Sequence, residues 1–196
     1  MKNVFLSLAF VLAALPSFAD DISLGYPSYG GSGCPGGTAS AALSPDRKSL
    51  SILFDRYVVE AGGRTGRQMD RKTCNIGVPV HVPQGLSLSI IKVDYRGFNS
   101  LPYSAYSQFN VEYFFAGSRG PSYTKTFNGA LTANYLLTNT LAASAVVWSP
   151  CGQDVILRAN SSMLVRTNSA NQQAMSTVDS ADIRGGLVYA IQWRRC

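Results

Sequence analysis

Histidine is almost absent from this chain, and that scarcity excludes more chemistry than any motif supplies. The 196 residues contain one, His81. A Ser-His-Asp or Cys-His mechanism would have to run through it, and no G-x-S-x-G elbow accompanies it. His81 alternates with Val80 and Val82, which places it on the solvent side of a strand. A single histidine also removes most zinc and copper sites. The four cysteines offer no C-x2-C pair, since the nearest two, Cys34 and Cys74, stand 40 positions apart. No D-x-[DN]-x-[DN]-G calcium loop occurs. No cofactor or metal is expected.

Other absences point the same way. Charged residues make up 14% of the chain, and glutamate occurs only at Glu60 and Glu112. No amphipathic helix, internal repeat, linker or nucleic-acid motif is visible, so nucleic acid is not an expected partner. After the N-terminus no apolar run could cross a bilayer; the best, Leu141 to Trp148, is eight residues long and contains Ser144.

The N-terminus itself is distinctive. Lys2 precedes an apolar run from Val4 to Leu15, then Pro16-Ser17-Phe18-Ala19-Asp20. That pattern predicts a signal peptide over residues 1–19, cut after Ala19. The protein is therefore expected to be secreted, either extracellular or periplasmic. Four cysteines in an exported chain predict two disulfides among three possible connectivities. Pairing Cys34 with Cys74 and Cys151 with Cys196 closes the shortest loops, each contributing roughly 4 kcal/mol in the chain-entropy model.

What remains is rich in strand and turn signals. Ile76, Val78, Val80 and Val82 alternate along one face, with Pro79 on the other suggesting an edge strand. Val111, Tyr113 and Phe115 form a second alternation, and Leu187, Tyr189, Ile191 and Trp193 a third. Between Leu86 and Tyr95 the apolar phase shifts by one residue, implying a bulge or a passage between sheets. Ser44-Pro45-Asp46-Arg47 separates Thr38–Leu43 from Leu50–Phe54 as a hairpin turn would. Pro83-Gln84-Gly85, Asn128-Gly129, Pro150-Cys151-Gly152 and Gly185-Gly186 mark further corners. The reading is an all-β, two-sheet antiparallel sandwich over residues 34–196, with 20–33 a loose leader or edge segment.

Three groups of residues are candidates for function. Arg64, Arg67, Arg71 and Lys72 lie in a glycine-containing stretch before Cys74, suited to an anionic ligand or simply to a solvated loop. Among the aromatics from Tyr95 to Phe115, Tyr103 and Tyr106 fall in a loop-like segment and could stack on sugar rings. Phe109, Tyr113 and Phe115 read as core. Asp55, Asp94, Glu112 and Asp179 lie in or near strands. Two of them across one cleft would suit a glycoside hydrolase, while the plainer reading pairs them with Arg56, Arg96 or Arg184. Asn160-Ser161-Ser162 is a glycosylation acceptor only in a eukaryotic secretory route.

Several short motifs occur together and in order: Gly33-Cys34-Pro35, Leu50 to Phe54 then Asp55, Arg71-Lys72-Thr73-Cys74, Pro83-Gln84-Gly85, Val93-Asp94-Tyr95-Arg96-Gly97, Trp148-Ser149-Pro150-Cys151-Gly152, Val178-Asp179-Ser180 and Gln192-Trp193-Arg194-Arg195-Cys196. In these the chain resembles the secreted family called domain of unknown function 4360, found in bacteria and fungi. The likeness runs from about Gly33 to Cys196 and departs from the pattern only in the basic stretch 64–72. The resemblance implies export and a β-rich domain, and carries no activity with it. Asp94, Arg96 and Asp179, within two of these motifs, are further candidate functional residues. The expected function is a non-enzymatic binding or surface-associated module for glycan or an acidic envelope polymer. The alternatives are a carboxylate-based polysaccharide hydrolase and a secreted effector that meets a protein partner.

Overall fold

A computed structural model describes residues 23–45, 49–89, 92–115, 117–140, 148–184 and 194–196. The expected signal peptide, the Gly185-Gly186 corner and the apolar run Leu187 to Trp193 lie outside these. Among the described residues there are fifteen strands and one short 3-10 turn at Gly63–Thr65. No helix among them is long and apolar enough to cross a membrane.

The strands form two main antiparallel sheets. In the first, β6 (Met69–His81) pairs with β12 (Val155–Arg166), which pairs with β9 (Tyr106–Phe115), which pairs with β10 (Ser122–Asn128). The short β1 (Ser23–Leu24) and β2 (Ser28–Gly30) line the free edge of β6. In the second, β8 (Lys92–Leu101) pairs along its whole length with β11 (Leu131–Thr140). Its other edge meets β14 (Ser180–Arg184) and β13 (Ala174–Thr177) in turn. Beyond these lie β4 (Ser49–Phe54) and β5 (Val58–Ala61), with β3 (Ala39–Leu43) outermost against β4. A separate ribbon joins β7 (Leu86–Ser87) to β15 (Arg194–Arg195).

Alternation buries one side of each sheet. Ile76, Val78 and Val80 from β6, Phe109, Val111 and Tyr113 from β9, and Met163 and Val165 from β12 face Leu50, Ile52, Val59, Val93 and Tyr95 of the second sheet. The rings of Tyr95 and Phe109 meet across the layers with centroids 4.7 Å apart. Burial on this scale, at about 25 cal/mol per Å² of apolar surface, is what holds two such sheets face to face.

Both disulfides form in the expected pairing, Cys34–Cys74 and Cys151–Cys196. The first is buried and the second exposed.

One local expectation needs correction, and an alternative left open elsewhere is resolved. Pro79 is not on an edge strand. It lies in β6 opposite Ile156, and its other side falls at the gap between β1 and β2, where Gly25 N–H donates to the Pro79 carbonyl at 2.7 Å. No ladder donor is missed there, so proline is tolerated. The phase shift between Leu86 and Tyr95 is a passage between sheets: Leu86-Ser87 pairs in the ribbon, Ser89 bridges Trp148, and β8 then enters the second sheet. Asn160-Ser161-Ser162 lies in the middle of β12, not in a surface loop.

Candidate functional site

The second sheet contains a fault. The strand line β4–β5 breaks at Asp55-Arg56-Tyr57, and its neighbour, the line formed by β13 and β14, breaks beside it at Val178-Asp179. Backbone bonds cross the break: Phe54 N to Asp179 O at 2.9 Å, Val178 N to Tyr57 O at 2.9 Å, and Asp179 N to Arg96 O at 2.8 Å. Tyr57, freed from strand geometry, turns inward and its hydroxyl meets Ser161 Oγ of the first sheet at 3.1 Å. Burial raises the Tyr57 pKa, opposed by the Ser161 hydrogen bond and the Arg71 charge. Gly33 lies against that ring, because a Cβ there would meet it. Four of the recognisable motifs, those holding Gly33, Asp55, Arg96 and Asp179, thus build one structural feature.

The four acidic candidates do not gather into one group. Asp55 and Asp179 are exposed at the fault. Asp94 lies on the outer face of the second sheet, 8% exposed, and pairs with Lys92 Nζ at 3.2 Å instead of an arginine. Glu112 lies on the outer face of the first sheet. Asp94 and Glu112 therefore point away from opposite sides of the sandwich and cannot act across one cleft. His81, on the solvent side of β6, meets Asp154 Oδ1 through Nδ1 at 2.7 Å. Asp154 also accepts from Val82 N, so the pair ties the end of β6 to the start of β12.

The tyrosine and arginine candidates do converge. Four connections meet at one end of the sandwich: 62–68 between β5 and β6, 102–105 between β8 and β9, 129–130 between β10 and β11, and 167–173 between β12 and β13. Hydrogen bonds knit them together: Gly63 N to Asn171 O at 2.7 Å, Thr167 N to Gln68 O at 3.0 Å, and Gly129 N to Ala105 O at 2.8 Å. Thr167 Oγ1 also donates to the Gln172 carbonyl. Gly62, at φ 76°, packs so closely on that same carbonyl that no Cβ would fit.

Tyr103 stands at the tip of this end, 77% exposed. Its backbone carbonyl accepts from Asn168 Nδ2 at 2.8 Å, and the same amide nitrogen donates to Gln172 Oε1 at 2.7 Å. Tyr106 opens β9 on the outer face of the first sheet, half-buried, directly opposite Arg166 of β12 and Asn128 of β10. Arg64 is exposed in the 3-10 turn, and Arg67 pairs with Asp70 at 3.2 Å. Arg71 and Lys72 are not in a loop. They belong to β6, where alternation puts Arg71 on the outer face and Lys72 on the opposite one. Arg71 donates to Ser162 Oγ at 3.2 Å.

Sequence reasoning missed Arg166 and Asn168. Arg166 could be found only by knowing the β12–β9 register. Asn168 sits in an Asn-Ser-Ala-Asn stretch whose turn composition was a usable signal.

Comparison with known proteins adds the following. The profile of DUF4360, a domain of unknown function, matches residues 20–196. An uncharacterized secreted protein of Arthroderma benhamiae is 31% identical over 170 residues, covering 86% of this chain and 69% of its own length. Among solved structures, TmCBM61 in complex with β-1,4-galactotriose is similar with a TM-score of 0.31 and 11% identity, over 81% of this chain and 88% of that one. The family 11 carbohydrate-binding module from Clostridium thermocellum, in complex with a β-1,3-1,4-mixed-linked tetrasaccharide, has a TM-score of 0.27 and 12% identity, over 88% and 95% respectively.

Proposed function

The chain belongs to the domain of unknown function 4360 family, and from that premise we propose that it is an exported glycan-binding module whose ligand meets the Tyr103 end of the sandwich. Export is supported by the paired half-cystines, which persist in oxidising compartments, and by the relative described as a secreted protein.

One observation carries the reading: an exposed tyrosine ring is held on a clamped backbone. A tyrosine on a free loop would lose its own freedom on binding. Here the Asn168 amide fixes the Tyr103 carbonyl, and Gln172 of the same connection fixes the Asn168 side chain, so less ordering remains to oppose association. The flat ring offers apolar area to the C–H face of a sugar and a hydroxyl to its rim. Tyr106 and Arg166 stand behind it as a second ring and a hydrogen-bond donor.

Retention of the purified protein in polysaccharide-containing native gels tests this. Wild type is expected to be slowed by at least one polymer at low salt. Tyr103→Ala, with an unchanged melt, is expected to weaken binding about tenfold, or ~1.4 kcal/mol. No retention by any polymer, or equal retention of the variant, would sink the proposal.

A further inference from the structure

We infer, resting on that reading, that the ligand is an acidic polysaccharide and that it runs from the Tyr103 end onto the outer face of the first sheet. The charge on that face is the starting point. Arg166 is exposed in β12, flanked across the ladder by Met69 of β6 and Tyr106 of β9. Arg71 lies one strand over and one outward-facing position further along, opposite Leu164. Arg64 stands exposed in the adjoining turn. Neither Arg64 nor Arg166 has an acidic partner among the described residues, and Arg71 spends its hydrogen bond on the neutral Ser162 hydroxyl. The nearby carboxylate Asp70 is already engaged by Arg67 and the Glu60 amide. The outward carboxylate of β9, Glu112, is three outward positions beyond Tyr106, or ~20 Å along the strand.

An ordinary solvated sheet face mixes both signs of charge. This one carries arginines with no acidic partner among the described residues: Arg166 and Arg71 at the Tyr103 end, and Arg158, opposite Phe114, beyond Glu112. The planar guanidinium matches a carboxylate in a two-bond fork, which a lysine ammonium does not. Along β9 and β10, between Tyr106 and Glu112, the outward residues are neutral hydrogen-bonding groups. Asn110 Nδ2 donates to Thr124 Oγ1 at 2.6 Å and Gln108 Nε2 to Thr126 Oγ1 at 3.3 Å. These contacts hold the amides in place with their carbonyl oxygens left for sugar hydroxyls. The chemistry complementary to the surface is a chain that alternates hydroxyls with carboxylates, stacked at one end on a tyrosine.

The experiment compares acidic probes, polygalacturonate and alginate, with neutral ones, dextran and fully methyl-esterified pectin, at low and high salt. Binding to an acidic probe is expected, falling with added salt as the exposed charges are screened. Arg166→Ala is expected to weaken it about tenfold, and Arg166→Lys to restore only part. Arg119→Ala removes the same charge from the 117–121 connection, at the opposite end of β9 and β10, and is expected to bind as wild type. Equal, salt-insensitive binding to neutral polymers would overturn the inference and leave glycan binding standing. Equal loss in Arg166→Ala and Arg119→Ala would overturn it as well, since only net charge would then matter. Silence from every probe would remove both the inference and the reading beneath it.

Discussion

Gly97 has no side chain, and the phenol of Tyr135 occupies the space one would take. The two residues are ladder partners on β8 and β11, and the Tyr135 hydroxyl reaches past Gly97 to donate to the Thr177 carbonyl. A Cβ at position 97 would collide with that carbonyl and with the phenol. This gives the Asp94-Tyr95-Arg96-Gly97 motif a physical content that its letters do not carry: Arg96 O holds the fault, and Gly97 admits the tyrosine that spans it. Gly97→Ala is expected to destabilise by about 1–3 kcal/mol through overpacking, read as a lower urea midpoint with an unchanged slope. In a Tyr135→Ala background the same substitution is expected to cost less, because part of the clash has gone with the ring. Strictly additive effects would show that the close approach is not what Gly97 serves.

Among the elements, those with a clean apolar alternation were legible from sequence. The β6 run from Cys74 to Val82, the β9 run and the β3–β4 hairpin all follow it, and the two disulfides follow loop length. Met69-Asp70-Arg71-Lys72 was not legible, because nothing apolar alternates there; partners on β12, from Arg166 to Met163, hold those residues in the strand. The convergence of four connections at the Tyr103 end was equally hidden, since it depends on pairings such as Asn168 with Tyr103, 65 positions apart. The two disulfides, alike in sequence, differ as elements. Cys34 and Cys74 are wholly buried beside Tyr57, whereas Cys151 and Cys196 are exposed and tie β15 to the corner before β12. That corner is also held by Gly152 N to Leu86 O at 2.9 Å, so opening the bond releases chiefly the C-terminal ribbon. Limiting dithiothreitol with alkylation and peptide mapping is expected to label Cys151 and Cys196 first. Deleting Arg195-Cys196 is expected to cost ~2–4 kcal/mol and lower the melting temperature markedly. Labelling of Cys34 and Cys74 first, or an unchanged melt, would contradict this assignment.

At the scale of the whole molecule the two sheets are joined by tyrosines as well as by aliphatic packing. Tyr57 crosses from the second sheet to Ser161 of the first, and the hydroxyls of Tyr113 and Tyr95 meet between the layers at 3.3 Å. Tyr135 stacks on Phe127 with centroids 4.8 Å apart, closing the side where β10 and β11 come together. Burial pushes all four phenols up: Tyr113 to about 12, and Tyr57, Tyr95 and Tyr135 in the same direction, Tyr135 with added repulsion from Asp179. The unfolded chain releases these protons near the ordinary value of ~10, while the folded one retains them. Between those values the folded state binds more protons, so stability falls as pH rises. Their contribution is therefore fully present below pH ~10 and is lost as pH climbs from there through the folded values. Urea midpoints are expected to hold steady with respect to these groups up to that point and then drop, with tyrosinate absorbance from the buried rings rising in step with unfolding. Tyr113→Phe should make the drop shallower, since a ring that cannot ionise has nothing to release. Buried tyrosines that titrate while the near-UV circular dichroism stays native would mean that the space between the sheets is open to water, against the packing described above.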